Sequence, residues 1–217
     1  MLLLQGDCLT EMNKIKDHSV SLILCDLPYG TTARNDWDKK LPLKPLWEQF
    51  RRVLKPCGVV ALWSQMPFSA ELIMSNPKMF RYEWIVEKGN ATGFLNAKKM
   101  PLKAHENVLV FYDKLPTYNP QFTHGHERKT SKRKGARSSN YGLAEEVSVY
   151  DSTDRYPRDV LMFSWDSKRA GSIPHRNLLL PTNISSERIR MRGTLSLTAA
   201  WVLARQVLQR SIQGATL

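Results

Sequence analysis

The sequence predicts an α/β fold with a mainly parallel sheet. Short apolar runs, several of them rich in β-branched residues, alternate along the chain with segments whose apolar residues recur at helical spacing. Strands that alternate with helices are typical of a sheet in which crossover helices make neighbouring strands parallel. The length of 217 residues fits one α/β domain that carries an insertion.

The predicted elements follow in chain order. A short strand from Leu2 to Leu4 precedes Gly6-Asp7 and a helix from Leu9 to Ile15. The apolar run from Val20 to Cys25 is bounded by a turn signal and therefore predicts a buried strand. Helical spacing of apolar residues predicts a helix from Leu43 to Leu54. The remaining elements are a strand over Gly58 to Leu62, a helix over Phe68 to Met74, and strands over Arg81 to Glu87 and Glu106 to Tyr112.

The stretch Asp26-Leu27-Pro28-Tyr29 directly follows the strand that ends at Cys25. Ligands of open α/β sheets bind at the carboxyl ends of strands. Asp26 can accept one hydrogen of an exocyclic amine, and the backbone carbonyl of Pro28, held by the fixed φ of proline, can accept the other. Two acceptors would draw the amine nitrogen toward a tetrahedral form, while Tyr29 offers a flat face to a base flipped out of a duplex. An ordinary strand-to-loop turn is the alternative, because Pro-Tyr-Gly is also good turn chemistry.

The flanks of this stretch resemble the permuted amino-methyltransferases of DNA, in which a D-P-P-Y motif comes early and the cofactor motif late. The resemblance covers residues 1–119 and, more loosely, 154–165. One departure is Leu27, where many members carry proline, and the side chain there has no catalytic duty in the scheme above. The further matching segments occur in order: Gly6 to Leu9, Asp17 to Ile23, Thr31 to Asp38, Leu46-Trp47, Leu54 to Gly58, Trp84 to Lys88, Gly93 to Lys99 and His105 to Phe111.

The resemblance implies a Rossmann-like fold and transfer of a methyl group from S-adenosyl-L-methionine to the exocyclic amine of adenine in double-stranded DNA. Asp26, Leu27, Pro28 and Tyr29 would form the catalytic motif, and Asp7 would contact the adenosine of the cofactor. Helix capping is an alternative for Asp7, because this residue precedes a predicted helix, and both roles are compatible. Cytosine N4 is a close variant as the target. Related motifs for cytosine often begin with serine, so Asp26 favours adenine.

A net charge of +12 and an isoelectric point near 9.8 favour a polyanionic partner, with nucleic acid as the natural candidate. Residues 119–153 interrupt the fold as a loop or insertion, where the resemblance places target recognition. Their basic run has no apolar period, and a solvated charge run is the alternative that patterning favours. Its side chains can nevertheless neutralise phosphates. The candidate nucleic-acid-binding residues are Arg128, Lys129, Lys132, Arg133, Lys134 and Arg137.

Cys8, Cys25 and Cys57 form no CxxC pair and indicate reduced thiols in a cytoplasmic protein. No metal site is expected, because the pair His124 and His126 has no cysteine nearby. The apolar amino-terminal run is too short for a signal peptide and lacks a basic flank. No apolar run approaches membrane-spanning length, so no membrane association is expected.

The late cofactor motif, a glycine-rich turn of the F-x-G-x-G type, is missing from the sequence. After Gly171 only Gly193 and Gly214 occur, and residues 172–217 contain no Lys, Asp, Phe or Tyr. In the frame built from the last base of each codon and the first two of the next, Trp201 followed by Val202 encodes glycine, because TGG followed by GT gives GGT. In that frame, residues 190–216 admit N-A-G-D-T-V-L-D-x-C-M-G-S-G-T-T-G-V-A-A-V-N-T-G-R-x-F, and residues 172–179 admit H-P-T-Q-K-P-V-A. Both strings resemble the late motifs of the same family.

We therefore hypothesise a single-base insertion or deletion close to codons 168–172, with out-of-frame translation beyond it. The predicted organisation is a catalytic half at 1–118, a basic target-recognition-like insertion at 119–153, a return to the fold at 154–171 and an out-of-frame tail at 172–217, which leaves the sheet incomplete at the carboxyl end. The predicted ancestry is a site-specific DNA methyltransferase, phage-like or from a restriction-modification system with an unidentified endonuclease. The alternatives are an inactive nucleic-acid-binding fragment, a cytosine-N4 enzyme, and an enzyme for an RNA base or a protein amide.

Overall fold

The computed structural model describes residues 4, 6–30, 38–133, 137–138, 142–143 and 148–163. The predicted strand from Leu2 to Leu4, the polar loop at 31–37, the candidate residue Lys134 and the whole region of the proposed frame change lie outside the described residues. Residues Pro120–Arg158 form a small compact unit, and the five-stranded sheet described next belongs to a separate, larger unit.

Nine strands and three α-helices are present in the described residues. The strands are β1 (Val20–Asp26), β2 (Leu54–Ser64), β3 (Phe80–Thr92), β4 (Lys103–Phe111), β5 (Lys129–Arg133), β6 (Arg137–Ser138), β7 (Gly142–Leu143), β8 (Ser148–Ser152) and β9 (Val160–Phe163). The α-helices are α1 (Cys8–Met12), α2 (Leu43–Val53) and α3 (Phe68–Ser75), and a 3₁₀ turn spans Phe94–Asn96.

The central sheet has the strand order β1-β2-β4-β3-β9. Strands β1 and β2 pair in parallel, as do β3 and β9, whereas β4 is antiparallel to both of its neighbours. Four of the five strands therefore run in one direction, which confirms the predicted α/β class with a mainly parallel sheet. The reversed strand β4 arises because β3 and β4 form a hairpin, which needs no crossover helix.

The two faces of the sheet are both buried. On one face, Ile23, Cys25 and Leu27 join a core cluster with the apolar side of α2, whose buried residues are Leu46, Trp47, Phe50 and Val53. On the other face, Leu22 and Leu24 join a second cluster that contains Trp63, Trp84 and Val108. Successive side chains of β1 therefore alternate between two buried faces, as a strand in the interior of an α/β fold requires.

The observed elements match the predicted ones in type, with shifts at their ends. Helix α1 ends at Met12 rather than Ile15, and strand β3 continues beyond the predicted Glu87 to Thr92. The guanidinium of Arg52 on α2 donates hydrogen bonds to the carbonyls of Met12 (2.7 Å) and Ile15 (2.9 Å). The Met12 carbonyl, at the end of α1, also accepts a hydrogen bond of 2.9 Å from the N–H of Ile15, so the bonds from Arg52 attach the turn after α1 to helix α2.

The small unit contains part of the basic run at 128–137. This run was expected to interrupt the fold as a loop or insertion, and five of its residues form β5, which pairs in antiparallel fashion with β8. Lys129, Lys132 and Val149 are exposed and Tyr150 is only partly buried, so these four positions of the ribbon of β5 and β8 show no apolar period. Its order comes from ladder hydrogen bonds to a segment about 20 residues away, which local patterning does not report.

None of the described helices has the length and apolar character that crossing a bilayer would require.

Candidate active site at the end of strand β1

The predicted catalytic motif begins at the carboxyl end of β1. Asp26 is the last residue of the strand and is partly exposed, whereas Cys25 and Leu27 on either side of it are each 1% exposed. Leu27 packs into the same core cluster as α2 and α3. Because both neighbours of Asp26 are fixed in a close-packed core, the position of its carboxylate is constrained from both sides.

Tyr29 is bound to Asp26 and packed against α3. Its hydroxyl donates a hydrogen bond of 2.7 Å to Oδ1 of Asp26. Its ring lies 5.5 Å from the ring of Phe68, measured between centroids, at an interplanar angle of 32°. Lys40 Nζ lies 5.8 Å from the centroid of Phe68 and forms an ion pair with Glu71 at 2.5 Å. The aromatic part of the site therefore rests on the first turn of α3.

The turn after the motif is closed by a buried aspartate. The backbone N–H of Gly30 donates a hydrogen bond of 2.9 Å to Oδ1 of Asp38, which is 8% exposed. Gly30 has a φ of +66°, a conformation that glycine adopts without strain. A Cβ built at Gly30 would lie 2.7 Å from Cγ of Lys40, so the close approach of Lys40 also favours glycine here.

Trp63 is a buried neighbour of Asp26 that sequence reasoning missed. The two residues are register partners on the parallel strands β1 and β2, so their side chains lie on the same face of the sheet. Trp63 is 4% exposed, and no acceptor within the described part of the chain binds its buried Nε1–H. No local pattern signalled this position, because the pairing of β1 with β2 joins residues far apart in sequence.

The edge next to Trp63 is held by two buried serines. Ser69 at the start of α3 donates a hydrogen bond of 2.9 Å to the hydroxyl oxygen of Ser64, the last residue of β2. Both serines are at most 2% exposed. This bond links the carboxyl end of β2 to the helix that supports Tyr29, so it fixes the two sides of the site relative to each other.

The geometry suits recognition of a planar amine. A carboxylate oxygen is the kind of acceptor that an amine N–H requires, and Asp26 already accepts a hydrogen bond from Tyr29. The ring of Tyr29 lies against the ring of Phe68, so its plane is held by α3. The site thus combines an acceptor, a proline carbonyl and an aromatic ring within four consecutive residues.

Asp7 caps helix α1. Its Oδ1 accepts hydrogen bonds from the backbone N–H of Thr10 at 3.0 Å and from the Thr10 hydroxyl at 3.1 Å. The capping alternative is therefore observed. Burial raises the pKa of the neighbouring Cys8 thiol to about 12, and the negative charge of Asp7 adds to that rise. A second role for Asp7 in holding the adenosine of a cofactor stays a prediction.

The described residues do not by themselves build a site for S-adenosyl-L-methionine. Asp7 is the one candidate contact among them, and one of its carboxylate oxygens is engaged by the helix cap. Their glycines at positive φ, Gly6, Gly30, Gly93 and Gly125, are widely separated and do not form a glycine-rich turn. Across the ranges that the structure describes, no group of three or more His, Cys, Asp or Glu side chains could hold a metal ion.

The candidate nucleic-acid-binding residues are spread over the small unit. Arg128 donates hydrogen bonds through Nε (2.7 Å) and Nη2 (2.6 Å) to the carboxylate of Asp151. This contact raises the pKa of Arg128 and lowers the pKa of Asp151. Lys129 and Lys132 are exposed and, being three positions apart on β5, point to opposite faces of the ribbon. Arg133 lies at the end of β5 and Arg137 at the start of β6.

No family model matches the chain. Among solved structures, the chain is similar to the M1.HpyAVI–SAM complex, with a TM-score of 0.40 and 13% identity over 55% of this chain and 61% of that chain. It is also similar to the PvuII DNA methyltransferase (cytosine-N4-specific), with a TM-score of 0.48 and 13% identity over 89% of this chain and 65% of that chain.

A third similar structure is a putative DNA modification methylase from Thermus thermophilus, complexed with S-adenosyl-L-methionine. Its TM-score is 0.40, with 18% identity over 53% of this chain and 56% of that chain. The chain thus spans between about half and two thirds of the length of the solved chains that it matches.

Proposed function

We propose that the chain derives from a site-specific DNA methyltransferase and that Asp26, Leu27, Pro28 and Tyr29 are its motif for binding the target amine. The observation that carries this proposal is the bond between the Tyr29 hydroxyl and Asp26 at the carboxyl end of β1. It brings an acceptor and an aromatic ring together at the edge of the sheet where ligands of α/β folds bind.

In the proposed chemistry, the base is flipped out of double-stranded DNA and enters this site. The Asp26 carboxylate accepts one amine hydrogen and the Pro28 carbonyl accepts the other, so the lone pair of the nitrogen points away from both acceptors. Tyr29 stacks on the flipped base, as aromatic side chains do in enzymes of this kind. S-adenosyl-L-methionine would supply the methyl group. Leu27 has a supporting role, because its side chain is buried in the core.

Adenine N6 is the proposed target, since the acidic Asp26 stands where related cytosine-N4 motifs often carry serine. Outside the proposed out-of-frame tail at 172–217, the chain still has 26 Lys and Arg against 19 Asp and Glu, and this positive charge supports DNA as the partner, because Lys and Arg that neutralise phosphates release counterions. The exposed Lys129 and Lys132 of the small unit are proposed phosphate contacts. Such contacts would give affinity without base specificity.

The proposal includes the hypothesis of a frame change near codons 168–172. The described residues lack a glycine-rich turn, and the alternative frame of residues 190–216 admits a string that contains one. Resequencing the gene across codons 165–175 tests this directly. An alternative frame that encodes an unrelated string would contradict the hypothesis.

Methyl incorporation tests the function. The chain and a version restored to the alternative frame are incubated with duplex DNA and labelled S-adenosyl-L-methionine, with Asp26→Ala in both as the matched control. We expect the restored version to label DNA and Asp26→Ala to abolish labelling, because the amine then loses its acceptor. Chromatography of the digested DNA distinguishes N6-methyladenine from N4-methylcytosine. A restored version that is folded and inactive, or an active Asp26→Ala variant, would overturn the proposal.

A second candidate is a nucleic-acid-binding fragment without catalysis, which the positive charge and the absence of a cofactor turn in the described residues favour. It predicts that the chain binds duplex DNA with strong salt dependence and incorporates no label. Binding titrations at several salt concentrations, run beside the methyl assay, separate it from the first candidate.

A further inference from the structure

The β3–β4 hairpin has an exposed tip that is both apolar and basic. Phe94 is 80% exposed and Leu95 is 94% exposed, and Met100 and Leu102 are also exposed. Soluble proteins rarely present apolar side chains this openly in a cluster without a partner for them. The segment from 88 to 105 also carries four lysines and no acidic residue: Lys88, Lys98, Lys99 and Lys103.

The tip is an ordered turn, so its apolar side chains are presented by a defined backbone. Gly93 has a φ of +92° and begins a 3₁₀ turn over Phe94–Asn96. The N–H groups of Asn96 and Ala97 bond to the carbonyls of Gly93 (2.9 Å) and Phe94 (3.0 Å). Directly beside the tip, Lys103, which pairs with Thr92, donates a hydrogen bond of 3.3 Å from Nζ to Gln65, the residue that follows β2.

The hairpin projects from the same edge of the sheet as Asp26. Through the strand register, Asp26 is level with Trp63, Val108 and Trp84. Strand β3 runs in the direction of β1, and its last residue Thr92 pairs with Lys103, five residues beyond Val108 on β4, which is an advance of roughly 17 Å at the usual rise per residue. β1 and β3 are three strand spacings apart, or about 14 Å, which is comparable to the width of the major groove.

We propose that the tip of this hairpin, residues 93–102, is a wedge that inserts into double-stranded DNA. Phe94 and Leu95 fill the gap in the base stack from which a base has been flipped toward Asp26, and Lys98 and Lys99 contact the flanking phosphates. Apolar side chains inserted between base steps are a known way to hold a duplex unstacked, and lysines neutralise its backbone. The inference rests on the proposed function, because it assigns the wedge to the DNA that the Asp26 site would act on.

A binding experiment without cofactor tests the wedge. The full chain is titrated against a fully paired duplex and against the same duplex with one abasic site, with fluorescence anisotropy as the readout. We expect the chain to bind the abasic duplex about tenfold more tightly, because the gap is already open and less unstacking is needed. The double variant Phe94→Ser/Leu95→Ser should bind both duplexes equally, whereas the chain with its native tip keeps the preference.

Leu115→Ser is the matched control. Leu115 is 78% exposed and follows the end of β4, which runs antiparallel to β1, so it lies toward the opposite edge of the sheet. This variant should keep the tenfold preference. The double variant Lys98→Gln/Lys99→Gln should lower the salt dependence of binding to both duplexes by about two phosphate contacts.

Several outcomes would overturn the wedge: no preference for the abasic duplex, a preference that survives in Phe94→Ser/Leu95→Ser, or a tip variant that alters only self-association in sedimentation. The last outcome would indicate a contact between copies of the chain. The methyl assay tests the proposed function separately. If the chain prefers the abasic duplex but its restored version never methylates DNA, the wedge proposal is supported and the proposed methyltransferase function is contradicted.

Discussion

Tyr29 and Asp26 share a hydrogen bond of 2.7 Å from the phenol hydroxyl to Oδ1 of the carboxylate. The two residues come from the end of one strand and the turn after it, so this bond closes the motif on itself. It restricts the orientation of the carboxylate. Preorganised acceptors need less rearrangement when a substrate binds, which is one reason that such a bond suits a binding site.

Removing this bond should lower the free energy of unfolding by a modest amount. We expect Tyr29→Phe to cost about 1–2 kcal/mol, because a hydrogen bond to a charged group is lost while the contact with Phe68 is kept. Tyr29→Ala should cost more, since the ring packing against Phe68 disappears as well. Urea unfolding of the two variants measures both losses of unfolding free energy. A Tyr29→Phe variant as stable as the native chain would mean that the bond adds nothing.

Leu27 should be a structural residue. Because it is 1% exposed and packs in the core cluster, Leu27→Ala should lower the free energy of unfolding by about 3 kcal/mol. Leu115→Ala, at a leucine that is 78% exposed, should change it by less than about 0.5 kcal/mol. Chemical denaturation of both variants tests the contrast. Equal costs for the two would show that the chain does not pack Leu27 as described.

Two buried tryptophans offer a matched comparison. Trp47 Nε1 donates a hydrogen bond of 2.8 Å to Ser75, whereas Trp63 Nε1 has no acceptor among the described residues. Trp47→Phe should therefore cost about 1 kcal/mol more than Trp63→Phe, because only the first change breaks a hydrogen bond. Urea unfolding of the two variants provides the measurement. A Trp63→Phe variant that loses as much stability as Trp47→Phe, or more, would contradict this difference between the two side chains.

Cys8 should react slowly with alkylating agents until the solution is strongly alkaline. Burial, assisted by the charge of Asp7, raises the pKa of its thiol from 9.0 to about 12, and the thiolate is the reactive form. Because the folded pKa lies above the unfolded value, the neutral thiol stabilises the fold fully below pH 9.0, and that contribution is lost as the pH rises toward about 12.

Alkylation with iodoacetamide near pH 9.0, followed by mass spectrometry, tests this shift against the exposed Cys57 as an internal reference. Cys57 should be labelled first. Asp7→Asn keeps a helix-capping side chain and removes the charge, so it should raise the labelling rate of Cys8. Because burial is the larger cause, the rate should stay below that of Cys57. Labelling of Cys8 as fast as Cys57 in the native chain would contradict the shift.

The ion pair between Arg128 and Asp151 should weaken any contact of Arg128 with DNA. Nε and Nη2 of Arg128 both donate to the carboxylate of Asp151. Asp151→Asn removes the negative charge that offsets the guanidinium, so it should strengthen binding of duplex DNA at low salt. Asp113→Asn makes the same charge change at an exposed residue of the larger unit and should have a smaller effect. Anisotropy titrations compare the two. Equal effects would indicate that only net charge matters.

The pair also predicts a pH response of the small unit. The hydrogen bonds from Arg128 lower the pKa of Asp151, so the Asp151 carboxyl group binds a proton less tightly in the folded form than in the unfolded chain. The contribution of the pair to stability is therefore present above the unfolded value of 3.8 and is lost as the pH falls through the lower folded value. Asp151→Asn should remove that acid-dependent step.

Much of the fold could be predicted because local patterns of apolar residues indicate its helices and strands. The apolar period of α2 and the apolar run of β1 have ends within about one residue of the predicted ones. The end of β3 could not be placed, because its last residues are exposed and are held by pairing with β4 rather than by burial. The basic strand β5 was missed for the same reason, since only its pairing with β8 makes it a strand.

The candidate site also has one part that local sequence indicates and another part that depends on contacts between distant residues. The position of Asp26, Pro28 and Tyr29 after a buried strand could be predicted from local sequence, because a short apolar run and a turn signal are adjacent in the chain. The contacts of Asp26 with its register partner Trp63 and of Tyr29 with Phe68 could not be predicted in this way and are seen in the folded chain. These contacts join residues that are about 40 positions apart, and their partners are chosen by strand pairing and core packing. Those choices minimise the free energy of the whole fold, so no single segment of sequence contains them.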